Sequence, residues 1–468
     1  GVYLQSSNNN HLSDVVANGN QNRGVYLFSS SNNNLSLIIA NNNKNDNGVH
    51  LQSSSNNNVL SSITTTNNRI NGVAVQTSSN NILSFILSNN NNNSGINLYS
   101  SSNNNTLSNI TSNNNTDKGV YIQSSNNNQL SNITTDSNHN SGIHLILSSN
   151  NNTLSNITSN NNTNNGVYIQ SSSGNMLSSV VANSNSQSGI YFFFLSDSNQ
   201  LLGAVANSNS QYGVYLYMSS GNTLINSQFR DNMLAVYDDA LGTGNQLLYN
   251  NSFGEIRWTE NMNNLTLNGT LSFPGNIVIA NDSAYINVSA FTGNINTSAN
   301  VTLYGTPAVE KSNPTILKDG VQCFDCYNFT SLSAATVIFN VSSWSNYSIG
   351  DITSPLVTIV SPTNTTYTSS SIPVNISINE AGSCLYSLNN GTTNNSMTAN
   401  SSNTGFSATA SISTNGGYTL YAYCNDTVGN SNNSESVNFS VSIPATVDTG
   451  SSGGGGGGGG TVNPAAIS

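Results

Sequence analysis

Three groups of side chains in this 468-residue chain have the chemistry of a functional site. Carboxylates come first, because two carboxyl groups held roughly 5–10 Å apart can hydrolyse a glycosidic bond. Residues 1–250 carry Asp14, Asp46, Asp117, Asp136, Asp197, Asp231, Asp238 and Asp239, and the first Glu of the chain is Glu255. Imidazoles and thiols come second, as ligands for soft and borderline metals: His11, His50, His139 and His144, with Cys323, Cys326, Cys384 and Cys424. The third group is a series of tyrosines at near-constant spacing, whose rings and hydroxyls suit contact with sugars or with another protein. Which of these act together depends on the backbone that carries them.

That backbone is repetitive. The element Gly-[Val/Ile]-x-[Leu/Ile/Val] begins at Gly1, Gly24, Gly48, Gly72, Gly95, Gly119, Gly142, Gly166, Gly189 and Gly213, every 23 or 24 residues, and Ala235 opens a degraded eleventh copy. In each copy a short alternating segment such as Gly119 to Gln123 leads to a Ser/Asn corner, a second apolar pair (Leu130 and Ile133) and a second Asn-rich corner. Period-two alternation reads as strand, and no copy has a helix-length stretch free of corners. One such strand cannot bury its apolar face alone, so successive copies must stack. Stacked in parallel about 4.8 Å apart, Val2, Val25, Val49, Val73, Ile96, Val120, Ile143, Val167, Ile190 and Val214 form an inward ladder, and Leu12, Leu35, Leu60, Leu83, Leu107, Leu130, Leu154 and Leu177 form another. The glycines suit corners of positive φ, and the Asn residues tolerate left-handed backbone while their amides bond along the stack.

On this scaffold the carboxylates do not pair. Asp46 and Asp117 share an offset from their glycines but stand three turns apart, about 14 Å. Asp136 and Asp231 nearly match at four turns, and adjacent Asp238 and Asp239 face opposite ways on a strand. His50 and His144 also stand four turns apart, and the four histidines read as polar surface residues. Metal ligands are therefore not assigned. No cofactor is assigned either, with structural calcium on Asp and Asn oxygens left open. The residue after each inward Val reads Tyr3, Tyr26, His50, Ala74, Asn97, Tyr121, His144, Tyr168, Tyr191, Tyr215 and Tyr237. Alternation turns this column outward, so its seven Tyr and two His are the candidate binding face. Three readings stay open: glycan contact, protein contact, or a strand-favouring residue that stacks on itself for stability.

The repeat ends near Asn250. Residues 254–350, with Trp258 and Trp344, read as a compact β domain that covers the open edge of the stack. Residues 355–442 carry short alternating strands, among them Val374 to Ile378 and Tyr418 to Cys424. The expected bridges are Cys323 with Cys326 and Cys384 with Cys424, one inside each region, and paired cysteines suit an oxidising setting. Residues 443–468, with eight glycines from Gly453 to Gly460, read as a flexible linker, and the chain is expected to be truncated at both ends. A net charge of −11 with 8 Lys+Arg argues against nucleic acid, and no apolar run is long enough to span a membrane. Asn makes up about a fifth of the chain, so Asn-x-Ser/Thr sequons such as those at Asn109, Asn156, Asn268 and Asn340 are abundant.

The ten regular copies resemble the NosD-like right-handed parallel β-helix repeat of the carbohydrate-binding-and-hydrolysis type. The run Tyr421-Ala-Tyr-Cys424-Asn-Asp-Thr-Val-Gly-Asn430 resembles immunoglobulin-like modules of surface proteins, and the stretches at Glu255, Asn300 and Phe339 resemble a module of archaeal ones. The expected fold is all-β: a parallel β-helix of about 10–11 turns over residues 1–250, on the order of 50 Å long, then a β-rich cap and an immunoglobulin-like sandwich. The expected function is a non-enzymatic extracellular or cell-surface rod for display or adhesion, with glycans or other surface proteins as partners and no catalytic residues. The rival is a polysaccharide lyase, hydrolase or epimerase whose carboxylates come from corners, or from Glu255, Glu260 or Asp282. The name NosD adds copper delivery as a third reading.

Overall fold

A computed structural model describes residues 1–239, 241–259, 262, 266–305 and 313–445. By contacts the described residues up to Gly350 form one compact unit, and those from Asp351 onward, with Asn313, form a second.

The first unit is an eleven-turn parallel β-helix. Each turn contributes one strand to each of two sheets, for example Val120–Gln123 to the first and Gln129–Thr134 to the second. Like stacks on like without slippage: Val120 pairs Ile143, Tyr121 pairs His144, and Leu130 pairs Leu154. Both inward ladders are fully buried through the body of the rod, where they form one continuous apolar core. Register is strongly specified because a one-residue slip would turn every inward Val and Leu to water.

The corners explain the composition. In Ser125-Asn126-Asn127-Asn128 each residue has its own role. Ser125 is buried and its Oγ receives the backbone N–H of Ser102. Asn126 Oδ1 accepts the N–H of Asn150, one turn on. Asn127 adopts φ 58°, the left-handed region where an Asn costs less than most side chains. Asn128 is fully buried; its Oδ1 accepts the backbone and side-chain N–H groups of Asn105 at 2.8 and 3.2 Å, and its Nδ2 donates to Asn152 Oδ1 at 3.1 Å. This amide ladder runs from Asn10 through Asn33, Asn58 and Asn81 to Asn245. A second runs along the other corner from Asn20 through Asn43 and Asn68 to Asn232.

The repeat glycines serve a different purpose from the one expected. Gly48, Gly119 and Gly166 do not have positive φ; instead the carbonyl of the glycine one turn on lies 2.6–2.8 Å from where their Cβ would be. The turns pack too closely there for any side chain.

Beyond the rod both sheets continue antiparallel. Gly254–Trp258 pairs with Gln246–Asn251, and Thr266–Gly269 with Leu234–Asp238. Ala299–Tyr304 and Thr336–Val341 extend the second sheet. A five-stranded sheet that includes Ile277–Ala280 and Asn346–Gly350 completes the unit, and Trp258 and Trp344 stand 5.5 Å apart in the shared core. Among the described residues no helix is long and apolar enough to cross a membrane.

The second unit is two mostly antiparallel sheets around one core. Val357–Ser361, Ser371–Ile378, Gly405–Ser411 and Thr398–Ala399 make one; Gly382–Ser387, Gly416–Asp426 and Ser436–Val441 are the centre of the other. Ile372, Val374, Leu420, Ala422 and Phe439 meet between them. A disulfide joins Cys384 to Cys424, directly opposite each other on neighbouring strands of one sheet. In antibody domains the bridge crosses between the two sheets. The run Gly453 to Gly460 lies outside the described residues.

Candidate functional site

The tyrosine column stands on the outer face of the first sheet, and its rings spend their faces on each other. Tyr3 stacks on Tyr26 at 4.9 Å, Tyr168 on Tyr191 at 5.2 Å, Tyr191 on Tyr215 at 4.5 Å and Tyr215 on Tyr237 at 5.2 Å. What the column presents outward is ring edges and hydroxyls. A second outward column, two residues further along each strand, supplies amides to meet them. Tyr3 donates to Gln5 Oε1 at 2.9 Å, Tyr26 to Gln52 at 2.6 Å and Tyr168 to Gln170 at 3.2 Å, and within the second column Tyr99 donates to Gln76 at 2.9 Å. Toward the cap this second column also turns aromatic, and Phe193 stacks on Tyr217 at 5.2 Å. Burial against these neighbours pushes the hydroxyls of Tyr168 and Tyr215 up to about 12 and raises that of Tyr191 further.

Two of the expected surface residues are not on the surface. His50 is 3% exposed and His144 is 7%, while His11 and His139 are exposed. The column leaves the sheet outward, but the neighbouring rings and amides lie across it. Arg23 Nε donates to His50 Nδ1 at 2.9 Å while pairing with Asp46 at 3.1 Å. Tyr99 approaches the other nitrogen at 3.5 Å, next to the side chain of Ala74. His144 lies between Tyr121 at 5.3 Å and Tyr168 at 4.5 Å, and neither of its nitrogens has a hydrogen-bond partner. Burial first, then Arg23 for His50 and Lys118 for His144, pushes both imidazoles down to about 3. Both are neutral near pH 7 and too weakly basic to serve as general bases there.

The rod carboxylates are occupied as parts of the scaffold. Asp136 takes the place of a corner Asn, its Oδ1 accepting the N–H of Asn160, and Asp197 does the same for Ser220. Burial raises the Asp136 carboxyl above the usual range. Asp14 and Asp231 occupy left-handed positions. Asp117 pairs with Lys118 at 2.6 Å and accepts from Asn140. Asp238 accepts from Asn245 inside the rod, while Asp239 accepts the N–H of Met218. In the cap Glu255 pairs with Arg257 at 3.0 Å, Asp282 holds a left-handed turn, and Glu260 lies outside the described residues. Among the described residues two groups of three or more candidate metal ligands occur, Cys323 with Asp325 and Cys326, and Asp351 with Glu380 and Asp426. The sulfurs of the first are joined in a disulfide; neither group is on the repeat.

The second sheet carries a feature that the sequence reading passed over. Val16, Leu37, Ile39, Phe85 and Leu87 line an open cavity of about 520 Å³. Leu37 and Phe85 are 53% and 62% exposed and hold φ of 52° and 53°. Other turns place Asp14, Ser62, Asn109 or Asn132 there, residues suited to left-handed backbone. A bulky apolar residue at a position the repeat otherwise keeps polar is the signal that would have shown it.

Residues 86–229 match the family described as right handed beta helix region, and residues 1–156 match periplasmic copper-binding protein (NosD). No curated protein matches the chain. Among solved structures, a double mutant of the periplasmic alginate epimerase AlgG is 14% identical, with 52% of this chain and 69% of that one covered at a TM-score of 0.46. The A-module of the Azotobacter vinelandii mannuronan C-5 epimerase AlgE4 is 13% identical over 48% and 71%, at 0.45. The catalytic domain of a GH87 alpha-1,3-glucanase in complex with nigerose is 13% identical over 53% and 63%, at 0.31. Such overlap says nothing about activity. The stacked register, the two inward ladders and both family matches agree that the rod is a right-handed parallel β-helix built of NosD-like repeats.

Proposed function

We propose that the chain is an extracellular rod for display or adhesion, and that it contacts neutral glycans through the outer face of its first sheet. The supporting observation is the pairing of phenol hydroxyls with glutamine amides on that face, at Tyr3, Tyr26, Tyr99 and Tyr168. Hydroxyl and amide groups in rows, with few charges among them, match the hydrogen-bonding groups of an uncharged polysaccharide laid along the rod. Because the rings face each other, contact is through edges and hydroxyls rather than by sugars stacked on ring faces. The structural roles of the rod carboxylates favour binding over hydrolysis, and two disulfides suit an oxidising location.

The test is a panel of neutral and uronate-rich polysaccharides, read by retention of the protein and by release of new chain ends. The reading expects retention on neutral polymers with no release. A quadruple variant, Tyr3→Phe, Tyr26→Phe, Tyr99→Phe and Tyr168→Phe, keeps the rings and removes the hydroxyls that meet the glutamines. It should lose at least tenfold in retention while its thermal midpoint stays within a few degrees. Release above a heat-killed control, or retention indifferent to the hydroxyls, would sink the proposal.

A further inference from the structure

The second unit buries three carboxylates side by side. Asp351, Glu380 and Asp426 are 7%, 4% and 4% exposed, and one ligand oxygen from each lies within 4.8 Å of the others. They come from separate places in the chain. Asp351 precedes Val357–Ser361, Glu380 follows Ser371–Ile378, and Asp426 ends Gly416–Asp426.

Two of the three are held rigidly by donors. Asp426 Oδ1 accepts the backbone N–H groups of Val428, Gly429 and Asn430 at 3.0, 2.6 and 2.8 Å, and its Oδ2 accepts Asn430 Nδ2 at 2.8 Å. Asn430 Nδ2 also donates to the Asp351 carbonyl at 3.1 Å. Asp351 Oδ1 accepts Thr353 N–H and Oγ1–H at 2.9 and 2.6 Å, and its Oδ2 accepts Asn313 N–H at 2.9 Å. Glu380 differs: its Oε1 is buried and has no hydrogen-bond partner at all. A carboxylate oxygen withdrawn from water with no donor, next to two more carboxylates, is a costly arrangement that a cation relieves.

We propose that Asp351, Glu380 and Asp426 bind a calcium ion. Oxygens on one calcium, each at about 2.3–2.6 Å, stand at most about 5 Å apart, and 4.8 Å falls inside that limit. An all-oxygen set selects a hard cation over copper or zinc. Magnesium keeps several of its waters and needs near-octahedral geometry, which a closed cluster of buried protein carboxylates suits poorly. The proposal does not depend on the glycan reading of the rod.

The test uses the whole chain, stripped with EDTA and desalted. Native mass spectrometry should count one added calcium, and a hundredfold excess over the dissociation constant should raise the thermal midpoint of the second unit by on the order of 10 °C. Magnesium at equal concentration should do much less. Glu380→Gln should lose at least tenfold in calcium affinity while keeping the native circular dichroism. Should that variant fail to fold, hydrogen exchange on the unaltered chain decides: calcium should slow the amides of Thr353 and of Val428 to Asn430. No bound calcium, an equal response to magnesium, undiminished binding by Glu380→Gln, or unchanged exchange at those amides would each overturn the proposal.

Discussion

The rod and the second unit solve the same problem in opposite ways. Both bury many polar groups. The rod buries mostly neutral ones, and its corner amides are closed by their counterparts on the next turn: Asn58 to Asn81, Asn81 to Asn105, Asn105 to Asn128. The second unit buries charged ones, Asp351, Glu380 and Asp426, that no repeat can close because none has a counterpart one turn away. Repetition lets a chain satisfy its interior with its own side chains, whereas a single-copy cluster calls in something from solution. That contrast explains why so little of the chain is charged: inside the stack an Asn supplies donor and acceptor together, and an Asp supplies only acceptors.

The contrast breaks most clearly at one amide. Asn128→Ala leaves the buried backbone N–H of Asn105 without an acceptor and removes two amide–amide hydrogen bonds, from Asn105 Nδ2 and to Asn152 Oδ1. The orphaned N–H costs about 1–3 kcal/mol and each lost hydrogen bond about 0.5–1.5 kcal/mol, so urea denaturation should report a loss on the order of 2–5 kcal/mol from the rod. Asn127, one residue earlier and identical in type, tests the same idea from the other side. Its part is a φ of 58°, so Asn127→Gly should stay within about 0.5 kcal/mol and Asn127→Ala should lose about 1 kcal/mol. Equal losses at 127 and 128 would mean that the ladder is not what holds the corner.

Acid and alkali separate the rod from the second unit next, since His11, His50, His139 and His144 all lie in the repeat. In the folded rod His50 and His144 stay unprotonated down to about 3, while in an unfolded chain they protonate near 6.5. The unfolded state therefore holds more protons throughout that window. The contribution of the neutral pair is fully present above about pH 6.5 and is lost as pH falls toward 3, by up to a few kcal/mol per histidine. Tyr168 and Tyr215 act at the other end: held protonated to about 12 when folded, they cost stability as pH rises above about 10. A pH series of thermal midpoints should show the rod transition falling at both extremes. A midpoint flat between pH 7 and 4 would mean that these histidines are solvated.

The ladder was legible in the letters and the burial of these histidines was not, for one physical reason. Val2 to Val214 and Leu12 to Leu177 announce themselves because ten copies repeat them at one spacing, and parallel stacking follows from that alone. The identity of a residue, however, does not carry its φ. Asn126, Asn127 and Asn128 are three letters alike that do three different things, and Gly119 is a glycine for want of room rather than for left-handed backbone. Alternation alone puts His50 and His144 outward, yet Gln76 and Tyr99 of the next column cover the first, and Tyr121 and Tyr168 of its own column flank the second. Alternation assigns a side chain to a face and says nothing of how deep its neighbours lie over it. Asp351, Glu380 and Asp426 were less legible still, since they share no motif spacing and meet only when two sheets close around one core.

The smallest effect separates the two buried histidines themselves. Each stacks among aromatic rings and each is neutral, but only His50 has hydrogen-bonding neighbours, receiving Arg23 Nε at 2.9 Å. His144 has two ring nitrogens buried without a partner. Replacing an unsatisfied polar ring by an apolar ring of similar shape removes a desolvation penalty and gives up no hydrogen bond. His144→Phe should therefore stabilise the rod by about 1 kcal/mol and flatten roughly half of its acid sensitivity between pH 6.5 and 3. His50→Phe should destabilise the rod instead, while also removing roughly half of the acid sensitivity, because it leaves the Arg23 guanidinium with Asp46 but without its ring acceptor. If both substitutions destabilise alike, His144 does more than fill space between Tyr121 and Tyr168.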